Sequence, residues 1–429
     1  MRRLLAVAAL ACLLLVLAAA PAGAHALLRG SQPAGGASLD KAPEQVTLSF
    51  TEPPDLVLSS VHVLDSSGRA VEQGRAKAVA GRPLALEVPV SKLGDGSYTV
   101  SWRVVSRQDG HLTAGAFAFG VGVAAATAAG GGPVAVPATP SPSAMAVAGR
   151  WALDWGLILL VGAAASGLLV FRSHERAAGL STPLLGGALA LAAAGLLASI
   201  VAEHAKVGVP LGDLIASSTG AKLVSQAVVL AVTGIVLAAL ARWPARRELL
   251  ALLGVGAAAT MLVHIASGHA AGSSSLGPLN VLVQWVHLLA VGVWVGGFLW
   301  LVLGIRDMPG GQESGQGEQG EQVAAVRRFS LLATVAVGLV GLTGLTRAVV
   351  EVGSWHGLFD TSFGRTLLVK SALVAGLLAI GAANRFRIVP ALRAGRAKLQ
   401  TLGATVRGEL AVAVPILVAA ALLSELPPA

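Results

Sequence analysis

Eight apolar stretches, each about 20 residues long, dominate the C-terminal part of the chain and leave it few ways to fold. They lie near 151–171, 183–203, 221–241, 248–268, 281–305, 329–351, 365–384 and 405–424. A stretch so long and so poor in charge crosses a bilayer as a helix, which satisfies its own backbone groups in hydrocarbon. Only 12% of the 429 residues are charged, against about 25% in soluble domains. Residues 147–429 are therefore expected to form an all-α polytopic membrane domain. Their many glycines and alanines permit close helix packing.

Basic residues give this domain a direction. The net charge is +9, yet residues 25–122 hold nine Lys/Arg and nine Asp/Glu and are neutral. That balance argues against nucleic acid as a partner. The excess sits between the spans. Arg172, Arg176, Arg242, Arg246, Arg247, Arg306, Arg327, Arg328, Arg385, Arg387, Arg393, Arg396, Lys398 and Arg407 fall on one side. The other side has only Arg150, Lys206, Lys222 and Arg365, with Arg347 and Lys370 deeper. Basic loops stay cytosolic, so residues 25–122 and the C-terminus are expected outside the cytoplasmic membrane. The low-complexity stretch from Gly310 to Gln322 then becomes a solvated cytosolic linker. Arg347 and Glu351 are spaced as an i,i+4 pair. Lys370 is expected to snorkel outward, and Trp151, Trp155 and Trp285 to form an interfacial belt.

The N-terminus reads as a secretory signal over residues 1–24: Arg2 and Arg3, an apolar run from Leu4 to Leu17, then Ala22-Gly23-Ala24. Cys12, the one cysteine, lies within it, so the processed chain has no disulfide and no thiolate metal ligand. From residue 25 to 122 the pattern changes to period two. Gln45–Phe50 and Tyr98–Val104 alternate, Val61–Leu64 and Ala116–Val121 look like further strands, and Asp65–Gly68 and Gly94–Gly96 supply turns. Several short strands in about 100 residues predict a Greek-key β-sandwich. His62, flanked by two valines, is placed on the outer face of its strand in a structural role. Residues 123–146 are rich in Ala, Gly and Pro and read as an extended tether.

Cleavage after Ala24 would free the α-amine of His25 beside its own imidazole, and the two nitrogens can chelate one metal ion. Asp109-Gly110-His111 supplies a carboxylate and an imidazole two residues apart, which an extended chain projects to one side. Gly110 allows a tight bend, although Asp-Gly is also ordinary turn chemistry. Together His25, Asp109 and His111 make an N,N,N,O set that suits Cu(II).

The residues around these ligands resemble a known family. His25-Ala26-Leu27-Leu28-Arg29-Gly30-Ser31-Gln32-Pro33-Ala34 resembles the mature start of CopC, the exported copper-binding protein of bacterial copper resistance. Trp102-Arg103-Val104-Val105-Ser106 with Asp109-Gly110-His111 resembles its C-terminal signature. Leu48-Ser49-Phe50-Thr51-Glu52-Pro53 is similar to its "FSEP" stretch, with Thr51 in place of serine. The resemblance implies a cupredoxin-like sandwich holding Cu(II) through His25, Asp109 and His111. Some members add a methionine-rich Cu(I) site, but no methionine lies between residues 25 and 122, so Cu(II) alone is expected. The membrane half resembles CopD, and the whole chain a CopC–CopD fusion, through Ser267-Gly268-His269-Ala270-Ala271, the run from Val286 to Gly297, Arg328-Phe329-Ser330, Gly364–Lys370 and Asn384-Arg385. That likeness implies copper uptake or handling at the cytoplasmic membrane.

Histidines gather at the outer ends of the spans: His204, His264, His269, His287 and His356, with only His174 on the cytosolic side. Ionisable groups within a span are costly and mark pathways, and neutral imidazole ligates copper. His269 and His287, then His264 and His204, are the candidate membrane copper path. A short loop between the fourth and fifth spans is expected to bring His264, His269 and His287 to similar depth, and Met261 shares a helix face with His264. The alternative is that these histidines cap helix ends or sit in interfacial water. Three functions fit: copper import, a copper-buffering or sensing anchor without transport, and a histidine-brace oxidase. The domain has no evident flat aromatic carbohydrate surface and its single tyrosine, Tyr98, lies in a strand, so no enzymatic activity is expected. Neither a phosphate loop nor Asp-Lys-Thr-Gly is present, so energy coupling is indirect. Direction of transport, oligomeric state and any reductase or chaperone partner are not specified by the sequence.

Overall fold

The computed structural model describes residues 26–125, 143–171, 182–244, 246–268, 277–306, 316–352, 354–388, 390–391 and 399–426. His25, His174 and His269 lie outside the described residues, as does most of the tether.

The N-terminal domain is a two-sheet sandwich. Its strands are β1 (Leu28–Gln32), β2 (Ser38–Leu39), β3 (Gln45–Phe50), β4 (Ser60–Leu64), β5 (Lys77–Val79), β6 (Arg82–Pro89), β7 (Gly96–Val105) and β8 (Leu112–Val121). One sheet has the order β1-β3-β6-β5 and the other β2-β8-β7-β4. Alternate residues of both sheets fill the space between them, with Val46, Leu48, Phe50, Val100, Val104 and Phe119 essentially buried. Phe50 meets Trp102 edge-on across the core at 5.6 Å. All four strands legible in the alternation are present, and His62 projects outward beside Glu72 at 2.9 Å. The hairpin of β7 and β8 runs in register from Gly96↔Val121 to Val105↔Leu112, so residues 106–111 form its loop.

The second domain is helical: α1 (Ala144–Ala165), α2 (Thr182–Val207), α3 (Leu211–Ala216), α4 (Ser218–Arg242), α5 (Arg247–Ala266), α6 (Gly277–Val291), α7 (Gly297–Arg306), α8 (Gln316–Val352), α9 (Trp355–Asp360), α10 (Ser362–Ala383) and α11 (Leu399–Leu423). Seven segments among the described residues are long and apolar enough to cross a membrane, and Ala411–Leu423 adds a shorter apolar helix. α1 begins three residues inside the expected tether, because the Ser143 side chain accepts a hydrogen bond from the Ala146 backbone N–H at 3.0 Å and caps it. α8 likewise begins at Gln316, so the second half of the expected cytosolic linker is helix, and Gln322 is buried.

α1 is the central helix and packs on α2, α5, α7 and α11. π-helical turns continue α1 over Ser166–Val170 and join α6 to α7 over Gly292–Gly296. At this second turn the backbones nearly touch: a Cβ added to Gly296 would lie 2.2 Å from the Ile158 carbonyl oxygen, and one on Gly162 would lie 2.3 Å from Gly296.

Of the three tryptophans expected at the interface, Trp155 is buried and Trp151 and Trp285 are half-buried. Trp155 is buried against Trp151, and the Trp285 indole N–H donates to the Ala258 carbonyl at 2.8 Å. Lys370 is half-buried within electrostatic reach of Glu351, Arg347 and Asp154.

Candidate metal centre

The Asp109-Gly110-His111 loop is built by its neighbours in three dimensions. Ser106 donates from its hydroxyl to the buried Glu52 carboxylate at 2.5 Å, and the same oxygen accepts the backbone N–H groups of Gln108 and Asp109 at 3.1 and 3.3 Å. Asp109 Oδ1 accepts the His111 N–H at 2.9 Å. These bonds turn the chain tightly, and Gly110 sits at φ +74, where a side chain would be strained and would press on Thr219. The result brings Asp109 Oδ2 to 3.2 Å from His111 Nδ1, with both side chains buried.

The start of the described chain is tied to the same place. Thr113, two residues beyond His111, donates to the Ala26 carbonyl at 2.7 Å, and Thr51 accepts the Leu27 N–H at 2.9 Å. Thr51 and Glu52 therefore connect the N-terminus to the hairpin loop. Sequence reasoning had quoted both residues without giving either a task, since bonds spanning 24 and 54 positions leave no local signal.

Burial raises the Glu52 carboxyl to about 7, aided by the Asp109 carboxylate and opposed by the Ser106 hydrogen bond. Its folded value lies above the ordinary 4.5, so the unfolded chain releases this proton first and stability falls as pH rises from about 4.5 to 7. Thermal unfolding of the metal-free protein is expected to show this decline, and Glu52→Gln to flatten it. Parallel pH profiles for the two proteins would contradict the assignment.

The loop is pressed onto the helical domain. Lys206 in the last turn of α2 donates to the Gly110 carbonyl at 3.3 Å, and Lys222 in α4 donates to the carbonyls of Arg107 and Gln108. Asp55 accepts the backbone N–H and hydroxyl of Ser218 at 3.0 and 2.6 Å, placing its charge at the N-terminus of α4. Leu58, Val105 and Leu112 pack against Val207 and Leu214 beneath these bonds. None of this contact was foreseen.

The bundle histidines are dispersed. His264, at the end of α5, places Nε2 3.8 Å from Asp154 Oδ1 and Nδ1 3.4 Å from Gln226 Oε1. His287 in α6 places Nδ1 2.8 Å from Thr343 Oγ1 of α8, beside Gly344. His204 is half-buried in the last turn of α2, next to the Glu203–Lys206 ion pair. Among the described residues no three His, Cys, Asp or Glu side chains converge on one point, and His269 lies outside them. Met261 is wholly buried in the apolar core. Arg347 and Glu351 pair as their spacing predicts. Sequence reasoning missed Asp154, although a carboxylate inside an apolar span is itself a signal.

Two family models match the chain: "CopC domain" over residues 28–122 and "Copper resistance protein D" over residues 323–423. Copper transport protein CutJ of Bacillus subtilis (strain 168) is 28% identical over 424 residues, which cover 94% of this chain and 74% of that protein. Protein YobA of Escherichia coli (strain K12) is 35% identical over 95 residues, covering 22% of this chain and 76% of YobA. Among solved structures, CopC from Methylosinus trichosporium OB3b is 34% identical, with 23% of this chain and 93% of that one covered and a TM-score of 0.22. The chain belongs to the CopC family through its sandwich and joins that domain to a CopD domain, as in CopC–CopD fusions.

Proposed function

We propose that this protein captures Cu(II) outside the cell on its sandwich and hands it to the membrane bundle for import across the cytoplasmic membrane. Copper is cargo here, and no catalytic step is assigned. In this reading residues 1–24 are removed, the sandwich spans 25–122, the tether 123–146 and the membrane domain 147–429. The N-terminal domain and C-terminus face outward, as the basic loops require. Cu(II) is held by the amine and imidazole of His25 with Asp109 and His111, and the path inward uses His287 and His264, with His204 and His269.

The observation that carries the proposal is the seating of the Asp109–His111 loop on α2 and α4 by Lys206 and Lys222. Ala26, adjacent in sequence to His25, is fastened by Thr113 to the strand that follows His111. A docked donor presents cargo at high effective concentration. A buffering anchor would have no need of such seating, and an oxidase would need that face open to its substrate. Cu(II) moves by ligand exchange, and capture weakens in acid because the ligands must lose protons to bind.

Proteoliposomes containing a copper chelator should accumulate copper through the wild-type protein, and His287→Ala should lose most of that flux. Equal accumulation by wild-type and empty vesicles overturns import. Replacing Lys206 and Lys222 with alanine should loosen the docking. The processed chain has no cysteine of its own, so one cysteine at exposed Leu56 and one at exposed Ile215, which leave the docking bonds intact, report on this through a bis-maleimide. Cross-linking should fall several-fold, and an unchanged yield would dismiss the lysines as the clamp.

A further inference from the structure

Beneath the docked loop, a chain of hydrogen bonds fixes the orientation of one membrane imidazole. Ser267 donates its single hydroxyl proton to the Val263 carbonyl at 2.7 Å, so its oxygen accepts from the Gln226 amide nitrogen at 3.4 Å. The Gln226 carbonyl oxygen must then face His264 Nδ1, also at 3.4 Å, and that nitrogen carries the proton. His264 Nε2 is left with its lone pair toward Asp154 Oδ1 at 3.8 Å, and this buried carboxylate oxygen accepts no hydrogen bond. Two acceptors facing one another away from water repel unless a proton or a metal cation lies between them. A divalent metal bonded to each at about 2.0–2.2 Å fits the gap. Holding the far nitrogen of a ligating imidazole is how proteins orient such a ligand.

We propose that Asp154 and His264, with Gln226 orienting the imidazole, form a copper(II) station inside the bundle. The nitrogen and oxygen donors suit Cu(II). The location suits delivery, since Gln226 is one helical turn below Lys222, which grips the outer loop. The neighbouring charges are accounted for: Arg150 pairs with Glu425 at 3.3 Å and Arg347 with Glu351. Arg150, even while paired with Glu425, and Lys370 are the positive groups within electrostatic reach of Asp154, and an arriving cation competes with both. The assignment rests on copper being the cargo, but not on the outer ligand set.

The test is equilibrium dialysis of the full-length, detergent-solubilised protein against buffered Cu(II), with bound metal counted per chain. Asp154→Asn and His264→Gln should each lose one equivalent relative to wild type and keep the outer one, with thermal unfolding in detergent reporting that the bundle of each variant is folded. Gln226→Leu, which leaves both ligands in place, should weaken that equivalent by about 10- to 100-fold. Lys370→Gln should tighten it several-fold. Undiminished copper in Asp154→Asn overturns the station, as does Gln226→Leu binding with wild-type affinity. Loss on Asp154→Asn but none on His111→Ala would instead sink the outer site and leave this one standing.

Discussion

Replacing His111 with alanine is expected to remove the outer Cu(II) equivalent from the processed protein. One imidazole leaves the ligand set, and Asp109 loses the group held 3.2 Å away. Partners that only orient a ligand are worth about 10- to 100-fold in metal affinity, and a ligand itself is worth more. Ser106→Ala should fall in that lower range, because it frees the Gln108 and Asp109 amides and strands the Glu52 carboxyl without touching metal. Competition against a chelator of known affinity measures both. If His111→Ala and wild type compete equally well, the hairpin loop is not the copper site.

Gly296→Val should damage the bundle more than any other single exchange at its centre. Even the Cβ would stand 2.2 Å from the Ile158 carbonyl oxygen, and backbone on both sides leaves nothing flexible to yield. Overpacking costs about 1–3 kcal/mol where side chains can adjust; here the helices themselves must part, so the upper end or beyond is expected. The measurement is thermal unfolding in detergent, with Gly338→Val as the control, since nothing lies within 4 Å of the position its Cβ would occupy. Equal melting of the two variants would mean that the crossing of α1 with the π-helical turn is not tight.

What could be read in advance followed physical range. The spans announced themselves by length, and β3, β4, β7 and β8 by alternation. β6 escaped because Pro83 and Pro89 bracket it, and proline inside a run argues against a strand. The helices α3 and α9, six residues each, are too short for a helical period and depend on their neighbours. Asp109 and His111 were legible as a local motif. Glu52 and Thr113 were not, because each acts through a partner distant in sequence, and Asp154 announced itself only as a carboxylate in an apolar span. The same reason explains the dispersed histidines: proximity of helix ends along the chain says nothing about which face each residue presents.

The bundle grips the hairpin loop by main-chain oxygens at positions 107, 108 and 110. Every amino acid offers that oxygen, so the side chains at 107 and 108 are free to drift over evolutionary time without uncoupling the two halves, while Gly110 is held by its φ of +74 and by Thr219. Identity is checked at the Asp55–Ser218 contact, at Arg103, which donates to the Lys206 carbonyl at 3.2 Å, and in the apolar contact of Leu58, Val105 and Leu112. A sandwich borrowed from another member of the family should therefore seat on this bundle, provided it brings these groups with it.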